Sequence, residues 1–189
     1  MEALLTLLAM MVFGCLLVVL VTVVAMYNRF VHQRTLVDES WSQIDVELRR
    51  RHDLIPNLVK VVQAYADHER TVLASLAQAR EAATSHRGDT PSERVPYEAE
   101  LGRCVHSVLA RAEAYPELQA SQNFLDLQQE LTLTEDRIAA ARRFYNGNVR
   151  SLNIRVGTVP SNLVAQAFGF TRRDFFELTD PAARHSPTL

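Results

Sequence analysis

Two groups of charged residues in this 189-residue chain could do chemistry. The first is Arg50-Arg51-His52-Asp53, closely followed by Pro56 and Asn57. Two guanidinium groups beside a carboxylate could bind an anionic or hydrogen-bonding partner where the chain bends. The same aspartate, three residues before a proline, equally suits a helix N-cap, with its arginines solvated or ion-paired. The second group is Glu135-Asp136-Arg137 with Arg142 and Arg143. Glu135 and Arg142 stand seven residues apart, two helical turns, and so share a face. A solvated face or an ion pair to another helix is the simpler reading of that pattern. Trp41 is the only tryptophan. It fits an apolar stripe and is expected in the core; exposed, it would mark a protein contact.

Other chemistries find no constellation. None of the six histidines (His32, His52, His68, His86, His106, His185) has a glutamate three residues before it, and no His-Glu-x-x-His occurs. The spacing of a di-metal bundle or a zinc protease is therefore missing. Cys104 and His106 are two apart and would point to different faces of a helix. The six glycines are scattered, without a phosphate-cradling loop. From Tyr27 onward, 20 basic residues oppose 21 acidic ones, too even a balance to hold nucleic acid by charge. We therefore assign no catalytic, cofactor or metal residue from the sequence; no nucleic-acid partner is expected, and no small-molecule substrate is identified.

The elements that would position these groups begin with an anchor. Ala3 to Met26 contains no charged residue and holds fourteen Leu, Val or Phe. Twenty-four helical residues reach roughly 36 Å, enough for a hydrocarbon core of about 30 Å. A cleaved leader would start with basic residues and carry a shorter apolar run. A retained single-pass span is expected, with the lipid bilayer as its partner. No basic residue precedes it, whereas Arg29 and Arg34 follow before the first acids, Asp38 and Glu39. That asymmetry puts the C-terminal side in the cytoplasm, beneath an inner membrane.

Beyond the span the pattern becomes amphipathic. Phe30, Val37, Trp41, Ile44 and Leu48 form a helical stripe that weakens at charged Arg51. Pro56 then predicts a turn or sharp bend near Asp53. A second helix is expected from Ile55 to Ala83, then a loop from Thr84 to Pro96, a shorter helix from Tyr97 to about Glu113, and a longest, last helix. Pro116 suits the first residue of that helix. Its stripe runs from Phe124 through Leu131 and Ile138 to Leu152, and we expect it to continue through Gly147 to about Ile154. Phe168, Phe170, Phe175 and Phe176 are expected to cap the bundle. The fold class is all-α: an N-terminal transmembrane helix continuing into an antiparallel bundle of long helices. The expected division is an anchor over 1–28, a bundle over 29–170 and a tail over 171–189.

Trp41-Ser42-Gln43-Ile44, Arg50 through Val59, Glu113-Ala114-Tyr115-Pro116, Asn123 through Leu131 and Thr134 through Asn146 resemble the LemA family in residues, order and spacing. The resemblance covers about Tyr27 to Phe170. It implies a bacterial membrane protein with one N-terminal span and long helices, and it brings no catalytic residues. A non-enzymatic scaffold or protein-interaction module, with protein partners or copies of itself, is the function expected. The alternatives are an enzyme with a polar site inside the bundle and a component that signals membrane stress.

Overall fold

The computed structural model describes residues 1–65 and 69–177. The described residues are helical or irregular, with no strand, and the protein is all-α. Helix α1 (Glu2–Tyr65) is followed by α2 (Arg70–Ser85), α3 (Pro91–Ala112), the single turn α4 (Pro116–Gln119), α5 (Gln122–Gly157) and α6 (Ser161–Phe168). The chain divides into two compact units.

The first unit comprises residues 1–39 and 147–173. Its part of α1 includes an apolar window of mean hydropathy 3.0, long enough to cross a membrane, with no residue of that window buried. Farther along α1, Phe30 and Val37 are buried, as are Val149 and Leu152 of α5. The Asn148 side chain donates to the Leu36 carbonyl at 3.4 Å, and Gln33 Nε2 donates to the Asn148 carbonyl at 3.4 Å. Gly169 ends α6 at φ 71°, where a side chain would be strained, and the Phe170 N–H bonds back to the Ala165 carbonyl at 2.9 Å. That reversal lays the Phe170 ring against Phe30, stacked at 4.8 Å between centroids.

The second unit comprises the described residues of 40–146 together with 174–177. Its apolar core takes Ile55, Leu58 and Val62 from α1, and Leu73, Leu76, Ala79 and Ala83 from α2. α3 adds Leu101, Val105, Val108 and Ala112, α4 adds Leu118, and α5 adds Phe124 and Leu131. Within this unit α1 and α5 run antiparallel, because Trp41 meets Tyr145 while Arg51 meets Glu135. A short turn joins α2 to α3. Thr90 caps α3, its N–H donating to the Glu93 carboxylate at 3.0 Å in a capping box, with Pro91 as the first helical residue.

Several expected boundaries are displaced. No turn forms at Asp53, which lies inside α1, and Pro56 is also interior to that helix. The break comes after Tyr65 instead, so the expected second helix is divided between α1 and α2. The stretch expected as loop up to Pro96 is largely helix, since the Thr90–Glu93 cap starts α3 six residues earlier than expected. Pro116 opens only the four-residue α4, and the long stripe of α5 starts at Gln122. α5 does pass through Gly147, but α1, with 64 residues, is longer than its 36. Phe168 and Phe170 pack in the first unit, Phe176 in the second. Ala66, Asp67, His68 and residues 178–189 lie outside the described set.

Candidate functional site

Charged residues on an apolar stripe are either errors of the stripe or buried charges. In the second unit they are buried charges. Arg51 continues the α1 stripe one turn after Leu48, and Arg94 and Glu98 head the α3 stripe that goes on through Leu101 and Val105. Arg51, His52, Arg94 and Glu98 are all 1–2 % exposed. A buried ion is costly unless paired and hydrogen-bonded.

Glu98 is the hub. Its Oε2 accepts from Arg51 at 2.6 Å and lies 3.2 Å from His52 Nε2. Its Oε1 accepts from Arg94 at 3.4 Å, and its backbone carbonyl from Arg51 at 3.1 Å. The other arm of Arg51 donates to Glu135 on α5 at 2.8 Å. Arg94 also donates to Asp45 at 2.9 Å and to the Arg87 carbonyl at 3.2 Å, and its guanidinium lies 5.2 Å from the centroid of the Trp41 ring. Asp45 is also paired with Arg49 one turn on. Three arginines thus face three carboxylates, and the charges close within the unit. Three buried nitrogens, Arg51 Nε, Arg94 Nε and His52 Nδ1, have no protein partner.

Burial alone would push the Glu98 carboxyl up, but the His52 hydrogen bond and the Arg51 charge outweigh it and hold it below its ordinary 4.5. Asp45 behaves alike: burial raises it, and the hydrogen bonds from Arg94 and Arg49 bring it below 3.8. Burial and the neighbouring Glu100 raise the Cys104 thiol, which keeps it protonated and a poor nucleophile at neutral pH. Among the described residues, no three His, Cys, Asp or Glu side chains stand close enough to hold a metal ion.

The residues singled out from the sequence scatter around this hub. Arg51 is at its centre. Arg50, next to it, turns outward and pairs with Glu130 at 2.7 Å. Asp53 and Asn57 are exposed on α1, while Pro56 is half-buried. Glu135 reaches Arg51, so it forms an inter-helix ion pair, and Arg142 is half-buried farther along α5. Trp41 is half-buried, with Tyr145 at 5.5 Å and Phe176 at 5.4 Å. Sequence reasoning missed Arg94 and Glu98, because one lay in the expected loop and the other beside it. Their spacing with Leu101, Val105, Val108 and Ala112 was the signal that could have found them.

An all-α chain with an N-terminal apolar segment long enough to cross a membrane and a charge-closed ion network in a helical core defines a class of long-helix proteins. The profile of the LemA family matches residues 40–189, and the chain belongs to that family. It is 26% identical over 195 residues to magnetosome protein MamQ 2 of Paramagnetospirillum magneticum, covering 89% of this chain and 72% of that protein. It is 23% identical to magnetosome protein MamQ of Magnetospirillum gryphiswaldense, covering 82% and 66%. It is 24% identical to protein LemA of Metamycoplasma hominis, covering 81% and 69%.

Proposed function

We propose that the protein is a non-enzymatic, single-pass membrane scaffold whose helical core presents a surface to partner proteins or to copies of itself, on the cytoplasmic side. The observation that carries this reading is the continuity of α1. One unbroken helix holds both the membrane-length apolar segment and, at Arg51 and His52, part of the buried hub of the second unit. Whatever that unit contacts is thereby tethered, through one chain segment, to the apolar stretch.

The hub supports contact over catalysis because its charges are matched inside the fold. At the edge of the apolar core, the pocket between Val62, Val72, Leu73, Val108 and Ala112, which Glu69, Arg111 and Tyr115 also line, has a volume of ≈ 10 Å³, room for about one water molecule. A docking surface is available on the outside of the same unit. Phe144 is exposed and lines a shallow groove with Gln43, Glu47, Arg137, Ala140 and Ala141. The names of the relatives, magnetosome protein and LemA, specify no reaction. Arg29 and Arg34, directly after the span, support the cytoplasmic placement.

In-cell crosslinking followed by mass spectrometry tests this reading. Crosslinks from the Gln43–Phe144 groove to another protein or a second copy are expected, and Phe144→Asp should remove them. A chain that is monomeric and free of crosslinks at native expression overturns it. Orientation has its own test in a cysteine placed by Asn57→Cys in a Cys15→Ser, Cys104→Ser background. Labelling by an impermeant thiol reagent in intact cells would reverse the assigned side.

A further inference from the structure

The first unit carries a surface that neither the hub nor the groove uses. From Gly157 to Thr171 the chain has no charged residue, and α6 lies within this stretch. Val164 and Ala165 are buried, whereas Val159, Leu163 and Phe168 are 73%, 62% and 52% exposed. Three large apolar side chains on an uncharged segment of fifteen residues are unfavourable in water and favourable at a lipid interface.

The placement of this segment along the first unit is set by aromatic contacts. Tyr27 is the first residue after the apolar run. Its ring meets Phe168 at 5.0 Å and Phe170 at 5.7 Å, and Phe170 also stacks on Phe30. One turn of helix past Met26 is about 5 Å, and each headgroup layer is roughly 5–8 Å deep. With Met26 taken as the edge of the hydrocarbon, these contacts put the C-terminal end of α6 at headgroup level.

Charge supplies the second, independent observation. Beyond the span, this unit has six arginines (Arg29, Arg34, Arg150, Arg155, Arg172, Arg173) against two acids, Asp38 and Glu39, a net of +4. Asp38 already pairs with Arg34 and Arg173. It stands twelve residues past Met26, roughly 18 Å along the helix, well outside the headgroup layer. Arg29 stands within that layer. Arg155 has its proton affinity lowered by burial and by the neighbouring Arg29, and its buried Nε has no protein partner. Arg172 lies over the end of α5, its Nη2 3.1 Å from where a side chain at Gly157 would start. Cations at a helix C-terminus complement its dipole, which accounts for Arg155 and Arg172 but not for the apolar residues beside them.

We propose that α6 and these arginines form a second membrane contact, with Val159, Leu163 and Phe168 entering the interface and Arg29, Arg155 and Arg172 binding anionic phospholipid headgroups. The contact rests on the anchoring reading above, because the bilayer is the one α1 crosses. It fixes how the first unit sits on the lipid and makes that pose depend on lipid charge.

The full chain is reconstituted in nanodiscs of phosphatidylcholine, with or without one third phosphatidylglycerol, including acyl-brominated lipid as a quencher. A nitrobenzoxadiazole label goes on Cys15 in a Cys104→Ser background, or on position 163 through Leu163→Cys with both native cysteines replaced by serine. Quenching at both positions is expected. At position 163 it should strengthen with phosphatidylglycerol and fall about fivefold in inserted population per arginine removed in Arg29→Gln, Arg155→Gln and Arg172→Gln variants. Quenching at Cys15 but not at 163, or quenching at 163 that ignores lipid charge and the arginines, overturns this contact and leaves the anchor standing. Absence of quenching at Cys15 overturns the anchor and this contact together. Circular dichroism of each variant separates lost insertion from lost helix.

Discussion

Arg80 Nε donates to the backbone carbonyl of His52 at 2.8 Å. In a regular helix that carbonyl would accept from the N–H of residue 56, but residue 56 is proline and has none. A side chain from α2 therefore supplies the bond that Pro56 removes, and α1 passes through the proline without ending.

The first prediction follows from this substitution of one donor for another. Arg80→Met keeps most of the apolar stem and removes the donor, so it should destabilise the protein by about 1–3 kcal/mol. In a Pro56→Ala background the backbone N–H returns, and the same change should cost about 1 kcal/mol less. Thermal unfolding of the four proteins in a double-mutant cycle measures the difference. Strict additivity would mean that Arg80 does not replace the proline's missing bond.

The second prediction concerns the hub. Glu98→Ala strands Arg51 and Arg94 in the interior and should cost about 3–5 kcal/mol, the usual penalty for breaking a buried pair from one side. Glu135 also binds Arg51 but is 42% exposed, so water can replace it. Glu135→Ala should cost about 1 kcal/mol or less. Urea unfolding ranks the two variants, and equal losses would contradict the hub assignment.

The bundle was legible in the sequence wherever apolar residues alone defined a stripe. Phe30, Val37, Ile44, Leu48, Leu131, Ile138 and Leu152 are buried as their spacing requires. The continuity of α1 was not legible, because the donor that rescues Pro56 stands 28 residues from the carbonyl it serves. The hub was half legible. Arg51 stood out by its neighbours, but a stripe interrupted by a charge reads as a stripe that stops. Two such interruptions, one at Arg51 and one at Arg94 and Glu98, are instead complementary, because opposite charges on the buried faces of two helices can satisfy each other. Asp53 looked like a cap for the same local reason that Pro56 looked like a break, and both readings fail together once the helix is held open by α2.

The third prediction is a pH dependence. The Glu98 carboxyl is held below its ordinary 4.5 in the folded protein. A depressed folded value means that the unfolded chain binds the proton more readily. The stabilising contribution is then complete above about pH 4.5 and is lost as the pH falls through the lowered value. Glu98→Gln cannot titrate there. The stability gap between the parent and this variant should be full at neutral pH and should narrow steadily below about pH 4.5. A gap that widens on acidification would reverse the assigned direction.

The fourth prediction uses Trp41 as its own reporter. Its indole sits among Tyr145, Phe176 and the Arg94 guanidinium, and Phe176 is fully buried. The Tyr145 hydroxyl donates to the Asp174 carbonyl at 2.9 Å, and the Asn146 side chain both donates to the Phe176 carbonyl at 3.1 Å and accepts its N–H at 3.0 Å. These bonds clamp 174–176 over the indole, so this short stretch, beginning at Asp174, belongs to the second unit. Removing the ring by Phe176→Ala should cost about 3–5 kcal/mol and shift the fluorescence of the only tryptophan to the red while α-helical circular dichroism persists. Asn146→Ala should produce the same shift with a smaller loss, because it releases the clamp and keeps the ring. An unchanged emission maximum in both variants would mean that Phe176 does not cover Trp41.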